Sequence, residues 1–242
     1  MINRRFYLSV LSNIITLLLL VYLSVHYSVP SKLIKKIVSL QPANAGKGYK
    51  LSKAYTSMRS RFSVYKPKNA KFIILGDSIC SEVEWNELFS RDDIVNRCIP
   101  GDKTGGYLHR LEDIYSLNPK LCFIMGGFND IANGVPTLQI FINIKQITHR
   151  LIKHDITPVI LSTLYVSSKK SNYKKINMNV KELNISIEKY AHNEDIDYID
   201  INSVLAPHGL LNENYTFDGL HISGNGLIKW RDKLLPALLK YQ

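Results

Sequence analysis

Phe72-Ile73-Ile74-Leu75-Gly76-Asp77-Ser78 is the stretch from which the fold can be read. Four apolar residues without alternation describe a strand covered on both faces, as in a parallel sheet. Gly76 and Asp77 end the run, and Ser78 follows where a helix can begin. Similar runs recur downstream, so strands are expected at Lys71–Leu75, Ile94–Ile99, Leu121–Gly126, Pro158–Leu164 and Ile196–Ile201. Helical spacing fills the later gaps. Ile140, Phe141, Ile144, Ile147 and Leu151 form one apolar stripe, and Val180, Leu183, Ile187 and Tyr190 another. A last helix is expected from about Ser223, kinked or split at Pro236. Strand and helix in alternation predict an α/β fold with a parallel sheet of about five strands between helical layers.

In such sheets the working site forms at the carboxyl ends of the strands. Three short stretches fall there or near the C-terminus: Gly76-Asp77-Ser78, Gly127-Phe128-Asn129-Asp130 and Asp218-Gly219-Leu220-His221. They offer a hydroxyl, an amide, and a carboxylate three residues before an imidazole. Nucleophile, oxyanion donor, orienting acid and base are the parts of a serine acyl hydrolase. Ser78 on its own could equally be a helix N-cap, and Asn129 could cap the helix after the third strand. Gly101 stands beyond the second strand, where a turn needs positive φ and a backbone N–H can approach a substrate. Asp77 and Asp130 read as holding the loops around the site, and Asp102 as an N-cap. Of the seven histidines only His221 has a carboxylate placed to orient it. Gly76-Asp77-Ser78-Ile79-Cys80 is not G-x-S-x-G, which excludes the nucleophile elbow.

The blocks resemble those of the SGNH hydrolases, the GDSL esterase/lipase family, over residues 71 to 240. Gly76-Asp77-Ser78 matches the family's serine block. Asn96 to Gly106 matches its glycine block, with Gly101 at the oxyanion position. Gly127 to Asp130 matches the asparagine block, and Asp218 to His221 the last. The glycine block, Tyr215-Thr216 and Trp230 are most similar to the branch that includes platelet-activating-factor acetylhydrolase and sialate O-acetylesterase. Cys98 replaces a usual glycine, and Pro100 a glycine of another common variant. The resemblance implies a three-layer α/β/α, flavodoxin-like fold. It implies Ser78, Asp218 and His221 as catalytic residues, and Ser78, Gly101 and Asn129 as the oxyanion hole. It also implies a short acyl group such as acetyl on a sugar or lipid, with no metal or organic cofactor. An O-acyltransferase acting on an envelope glycan would use the same triad, and an inactive membrane-tethered binding protein could keep the fold.

Charge is segregated. The chain carries +11 overall, yet no Asp or Glu precedes Asp77, while 13 Lys and Arg do. The other 18 cations face all 20 acids, leaving the rest of the chain two net negative. A basic segment beside an apolar one points to anionic lipid rather than nucleic acid. Phe6 to Val29 contains no Asp, Glu, Lys or Arg and is long enough to cross a bilayer, which takes about 20 residues. No small-x-small cleavage site follows it closely, since Ala43-Asn44-Ala45 lies too far downstream. The expected layout is an anchor at 1–30, a basic juxtamembrane linker at 31–70 and the hydrolase domain at 71–242. Ser31 to Leu40 reads as an interfacial helix or as a solvated basic linker, and a short helix is expected near Ser52 to Phe62. The short tail before the anchor places the catalytic domain outside the cytoplasm, although Lys32, Lys35 and Lys36 weigh the other way. Three cysteines make no disulfide framework and no metal spacing. The reading favours three free, buried thiols over a Cys80–Cys98 bridge.

Overall fold

The computed structural model describes residues 52–241. In chain order the elements are α1 (Lys53–Val64), β1 (Phe72–Gly76), α2 (Ser78–Ser81), α3 (Trp85–Phe89), β2 (Ile94–Cys98), α4 (Thr104–His109) and α5 (Glu112–Tyr115). They continue with β3 (Leu121–Ile124), α6 (Phe128–Ala132), α7 (Thr137–Ile152), β4 (Thr157–Leu161), α8 (Tyr173–Asn193), β5 (Asp197–Ile199), α9 (Asn202–Leu205) and α10 (Gly224–Lys240). The strands form one parallel sheet in the order β2-β1-β3-β4-β5. This is the expected α/β architecture.

Alternation along each strand sends side chains into two separate cores. Phe72, Ile74, Phe123, Val159 and Leu161 meet Trp85, Trp230 and Leu234 on one face. Ile73, Leu75, Cys122 and Ile124 meet Tyr107, Ile147 and Leu151 on the other. Ile160 extends that second face toward Ile140, Ile144, Val180, Leu183 and Ile187, the apolar stripes of α7 and α8. Both faces of β1 and β3 are fully buried, which is why these strands read as unbroken apolar runs.

Three features depart from the sequence reading. α10 runs unbroken through Pro236, so the proline neither splits nor ends it. The short helix expected near Ser52 to Phe62 is present as α1, but it does not stand apart as linker, because its Tyr55 and Phe62 are buried against Ile99. Cys80 and Cys98 are joined in a disulfide, leaving Cys122 as the free buried thiol. The bridge forms because Gly76 pairs with Cys98 in register and carries no side chain to stand between the two. The Phe6–Val29 run and residues 31–51 lie outside the described residues. Among the described residues no helix is long and apolar enough to cross a membrane.

Candidate active site

β1 delivers Ser78 to the edge of the sheet. Asp77 is the N-cap of α2, and its carboxylate accepts from Ile79 N–H at 3.0 Å. This fixes the first turn of the helix that carries Ser78. Gly76 cannot be larger, because a Cβ there would lie 2.9 Å from the Met125 carbonyl and against the Cys80 sulfur.

The C-terminal turn supplies the partners. One Asp218 oxygen accepts from the backbone N–H groups of Leu220 and His221, at 2.9 and 2.8 Å. The other lies 2.9 Å from His221 Nδ1. The three-residue spacing therefore lets a single carboxylate build the turn and hold the ring. Thr216 Oγ1 donates to the His221 carbonyl at 2.7 Å and accepts from Gly219 N–H at 3.0 Å, which closes the turn from behind. His221 Nε2 then lies 3.0 Å from Ser78 Oγ, across 143 positions of sequence. The structure thus brings Ser78, His221 and Asp218 into one hydrogen-bonded chain.

Lys170 completes this side. Its Nζ is 3.2 Å from Asp218. Partial burial pushes the Asp218 carboxyl up, but hydrogen bonds from His221, Leu220 and Lys170 outweigh it and hold the group well below the ordinary range. The carboxylate is therefore an anion at neutral pH. Phe217 stacks on the His221 ring with centroids 5.9 Å apart, and is 65% exposed.

The other expected donors come from two elements joined by a hydrogen bond. Gly101 follows β2 at φ +73°, a conformation that glycine adopts without strain. Asn129 sits in the first turn of α6, and its Nδ2 donates to the Asp102 carbonyl at 3.0 Å. Asn129 thus fastens the loop that carries Gly101. Asp130 clasps Thr104 through both N–H and hydroxyl, at 3.0 and 2.8 Å. Burial raises the Asp130 carboxyl, and the two bonds from Thr104 oppose that rise.

Asp102 is not an N-cap. Lys103 occupies the cap position of α4, and Asp102 forms a fully buried ion pair with Arg110 at 2.7 Å. Arg110 also donates to the carbonyls of Arg97 and Gly76. One guanidinium therefore ties together the ends of β1 and β2. Arg110 and Lys170 are the functional neighbours that sequence reasoning missed. Neither has a local pattern around it, and only the fold brings each to its carboxylate.

A model of the GDSL-like Lipase/Acylhydrolase family matches residues 74–226. The chain belongs to this family. Its members are carboxylic ester hydrolases of the GDSL type, and the acylhydrolase is similar to several relatives. Platelet-activating factor acetylhydrolase IB subunit alpha2 of Rattus norvegicus is 26% identical over 191 residues, covering 72% of this chain and 79% of the relative. N-acylneuraminate cytidylyltransferase of Streptococcus agalactiae serotype III is 25% identical over 156 residues, which is 64% of this chain but 36% of that protein. A GDSL-like lipase from Bacteroides thetaiotaomicron has a crystal structure that superposes with a TM-score of 0.67 at 22% identity, covering 78% of this chain and 98% of that one. That likeness shows the fold, including the five-stranded parallel sheet with helices on both faces.

Proposed function

We propose that the chain is a membrane-anchored serine esterase that removes short acyl groups, acetyl above all, from a sugar or lipid through an acyl-serine intermediate. The observation that carries this reading is the chain Asp218–His221–Ser78, with 2.9 and 3.0 Å between successive groups. Ser78 Oγ attacks the ester carbonyl while His221 Nε2 takes its proton. Asp218 fixes the ring and balances the imidazolium that forms. The backbone N–H groups of Ser78 and Gly101 and the side chain of Asn129 receive the negative oxygen of the tetrahedral intermediate. Asn129 spends one amide N–H on Asp102, and its second serves the substrate. His221 then returns the proton to the leaving alcohol, and water repeats the sequence on the acyl-serine.

Several observations support the finer parts. His221 and Asp218 are about 27% and 31% exposed, so water reaches the acyl-serine readily, which favours hydrolysis over transfer. The acetylhydrolase relative supports a short acyl group. The apolar Phe6–Val29 run supports an anchor. The Cys80–Cys98 bridge fits a catalytic domain outside the cytoplasm, where disulfides persist. The partners are then an acylated substrate and the bilayer, and no nucleic acid. No cofactor is needed, because every step is carried by side chains and water.

The test is a fluorophosphonate probe combined with a panel of acetyl, butyryl and longer esters and acetylated sugars. Wild type should be labelled at Ser78 and should turn over acetyl esters fastest. Ser78→Ala should lose label and lower kcat by about 10⁴-fold or more while keeping its fold. Label on another serine, or full activity in the variant, would refute the assignment.

A further inference from the structure

Arg97 is 3% exposed, yet among the described residues no carboxylate lies within ion-pair distance of its guanidinium. It lies on β2, stacked over the Phe62 ring with 4.6 Å from Cζ to the centroid. One terminal nitrogen donates to the Asn96 carbonyl at 3.0 Å, and Nε has no hydrogen-bond partner among the described residues. Asp113, whose field reaches it, is already held in two bonds by Arg59, at 2.8 and 2.7 Å. Burial pulls the Arg97 guanidinium below its ordinary value, and Asp113 only partly offsets this. Arg110 makes the contrast. It is just as buried, but has a carboxylate and two carbonyls. A buried cation without an anion is costly unless a ligand supplies one.

Arg97 opens onto a cavity of about 580 Å³ between α1, the loop to β1 and α5. Lys66 and Lys68 stand exposed at its wall, with Tyr65 and Ser116. The cavity's acids are the exposed Glu112 and the already neutralised Asp113. From Lys53 to Lys71 the chain carries six Lys and Arg and no acid. We propose that this cavity binds a phosphate group, with the Arg97 guanidinium at its floor and Lys66 and Lys68 at its mouth. Three cations around one space exceed what a single carboxylate can satisfy, and a phosphate offers oxygens to all three. The volume leaves room for the rest of a phosphate ester. That ester is either the headgroup of an anionic phospholipid or a soluble phosphomonoester, since both present the same group.

The test uses the full chain in neutral detergent, with thermal unfolding as the readout. One arm compares inorganic phosphate and glycerol phosphate with chloride at matched ionic strength. The other compares micelles doped with phosphatidylglycerol or with phosphatidylcholine. At about a hundredfold excess over Kd, wild type should gain about 5–10 °C in Tm from the probe that fits. Arg97→Gln should lose that gain, yet melt no lower than wild type in chloride, because it sheds an uncompensated buried charge. Lys66→Glu with Lys68→Glu should weaken binding at least tenfold. A gain confined to phosphatidylglycerol assigns a lipid headgroup, and a gain confined to the soluble probes assigns a free ester. No gain from either, or an equal gain in all three proteins, overturns the proposal. If Arg97→Gln does not fold, the charge-reversal pair decides, and unchanged binding in that pair overturns it.

Discussion

Asp77 and Asp218 stand on opposite sides of Ser78 and live in opposite environments. Asp77 is fully buried, accepts a backbone N–H from Ile79, and has one oxygen without a partner among the described residues. Burial pushes its carboxyl up to about 7, with the charges of Asp102 and Asp130 adding to the rise. Asp218 is about a third exposed, takes four hydrogen bonds and is held low. The difference teaches how the labour is divided. The side of the site that positions the serine is dry, and a charge is tolerated there only when paired, as Asp102 is by Arg110. The side that would move the proton under the proposed mechanism is wet, and its charge is stabilised by donors on both Asp218 oxygens.

The sharpest way to break that division is on the wet side. Asp218→Asn should lower kcat by about 10⁴-fold, since the amide can still hold the turn but presents the wrong partner to His221 Nδ1. Circular dichroism should show the fold intact. Lys170→Met, which removes only an outer charge, should cost less than about tenfold. Equal losses from the two variants would mean that local charge, and not ring orientation, is what Asp218 provides.

The dry side should fail differently, by stability. Arg110→Met leaves Asp102 buried without its cation, and denaturant unfolding should show a loss of about 3–5 kcal/mol. Adding Asp102→Asn should recover a large part of it. Without that recovery, Arg110 acts through its bonds to Gly76 and Arg97 and not through the ion pair. Asn129 is tied to the dry side through its bond to the Asp102 carbonyl. Asn129→Ala should lower kcat by about 10²–10³-fold with a smaller change in KM. A change in KM alone would reduce Asn129 to a loop fastener.

The smallest effect is a pH dependence of stability. An unfolded Asp titrates near 4, while folded Asp77 titrates at about 7. Between those values the folded state holds a proton that the unfolded state has lost. This group's contribution is therefore complete below about pH 4 and fades as pH rises toward 7. Asp77→Asn keeps the acceptor for Ile79 and removes the titration. The variant should gain on wild type by about 1 kcal/mol per pH unit between pH 5 and 6.5 in denaturant unfolding. A constant difference over that window would show that Asp77 is ionised throughout.

What could be read in the sequence follows the range of the interactions. β1, β3 and β4 were legible because burial on both faces makes each a short apolar run. The stripes of α7 and α8 were legible because both helices pack one side only. Asp218 and His221 were legible because three residues of spacing already contain their geometry. Arg110, Lys170 and the Cys80–Cys98 bridge were not, since each partner lies at least eight positions away and the pairing depends on register. α1 was expected only as a short helix in a linker. It anchors to the domain through Tyr55 and Phe62, two turns apart with Met58 between them, on a helix whose other residues are mostly polar.

The Cys80–Cys98 bridge has a consequence for how the site can breathe. It welds the helix bearing Ser78 to the strand that leads into the Gly101 loop, and Arg110 clamps the same two strand ends. This jamb of the doorway is fixed. The opposite jamb, residues 215–221, has no covalent tie; hydrogen bonds, the Lys170–Asp218 ion pair and the buried Leu220 hold it, and it carries the exposed Phe217 at its lip. Asp218 and His221 both ride on that jamb, so the 3.0 Å contact between His221 and Ser78 is only as firm as the turn that carries the ring, while the mounting of the serine is covalently braced.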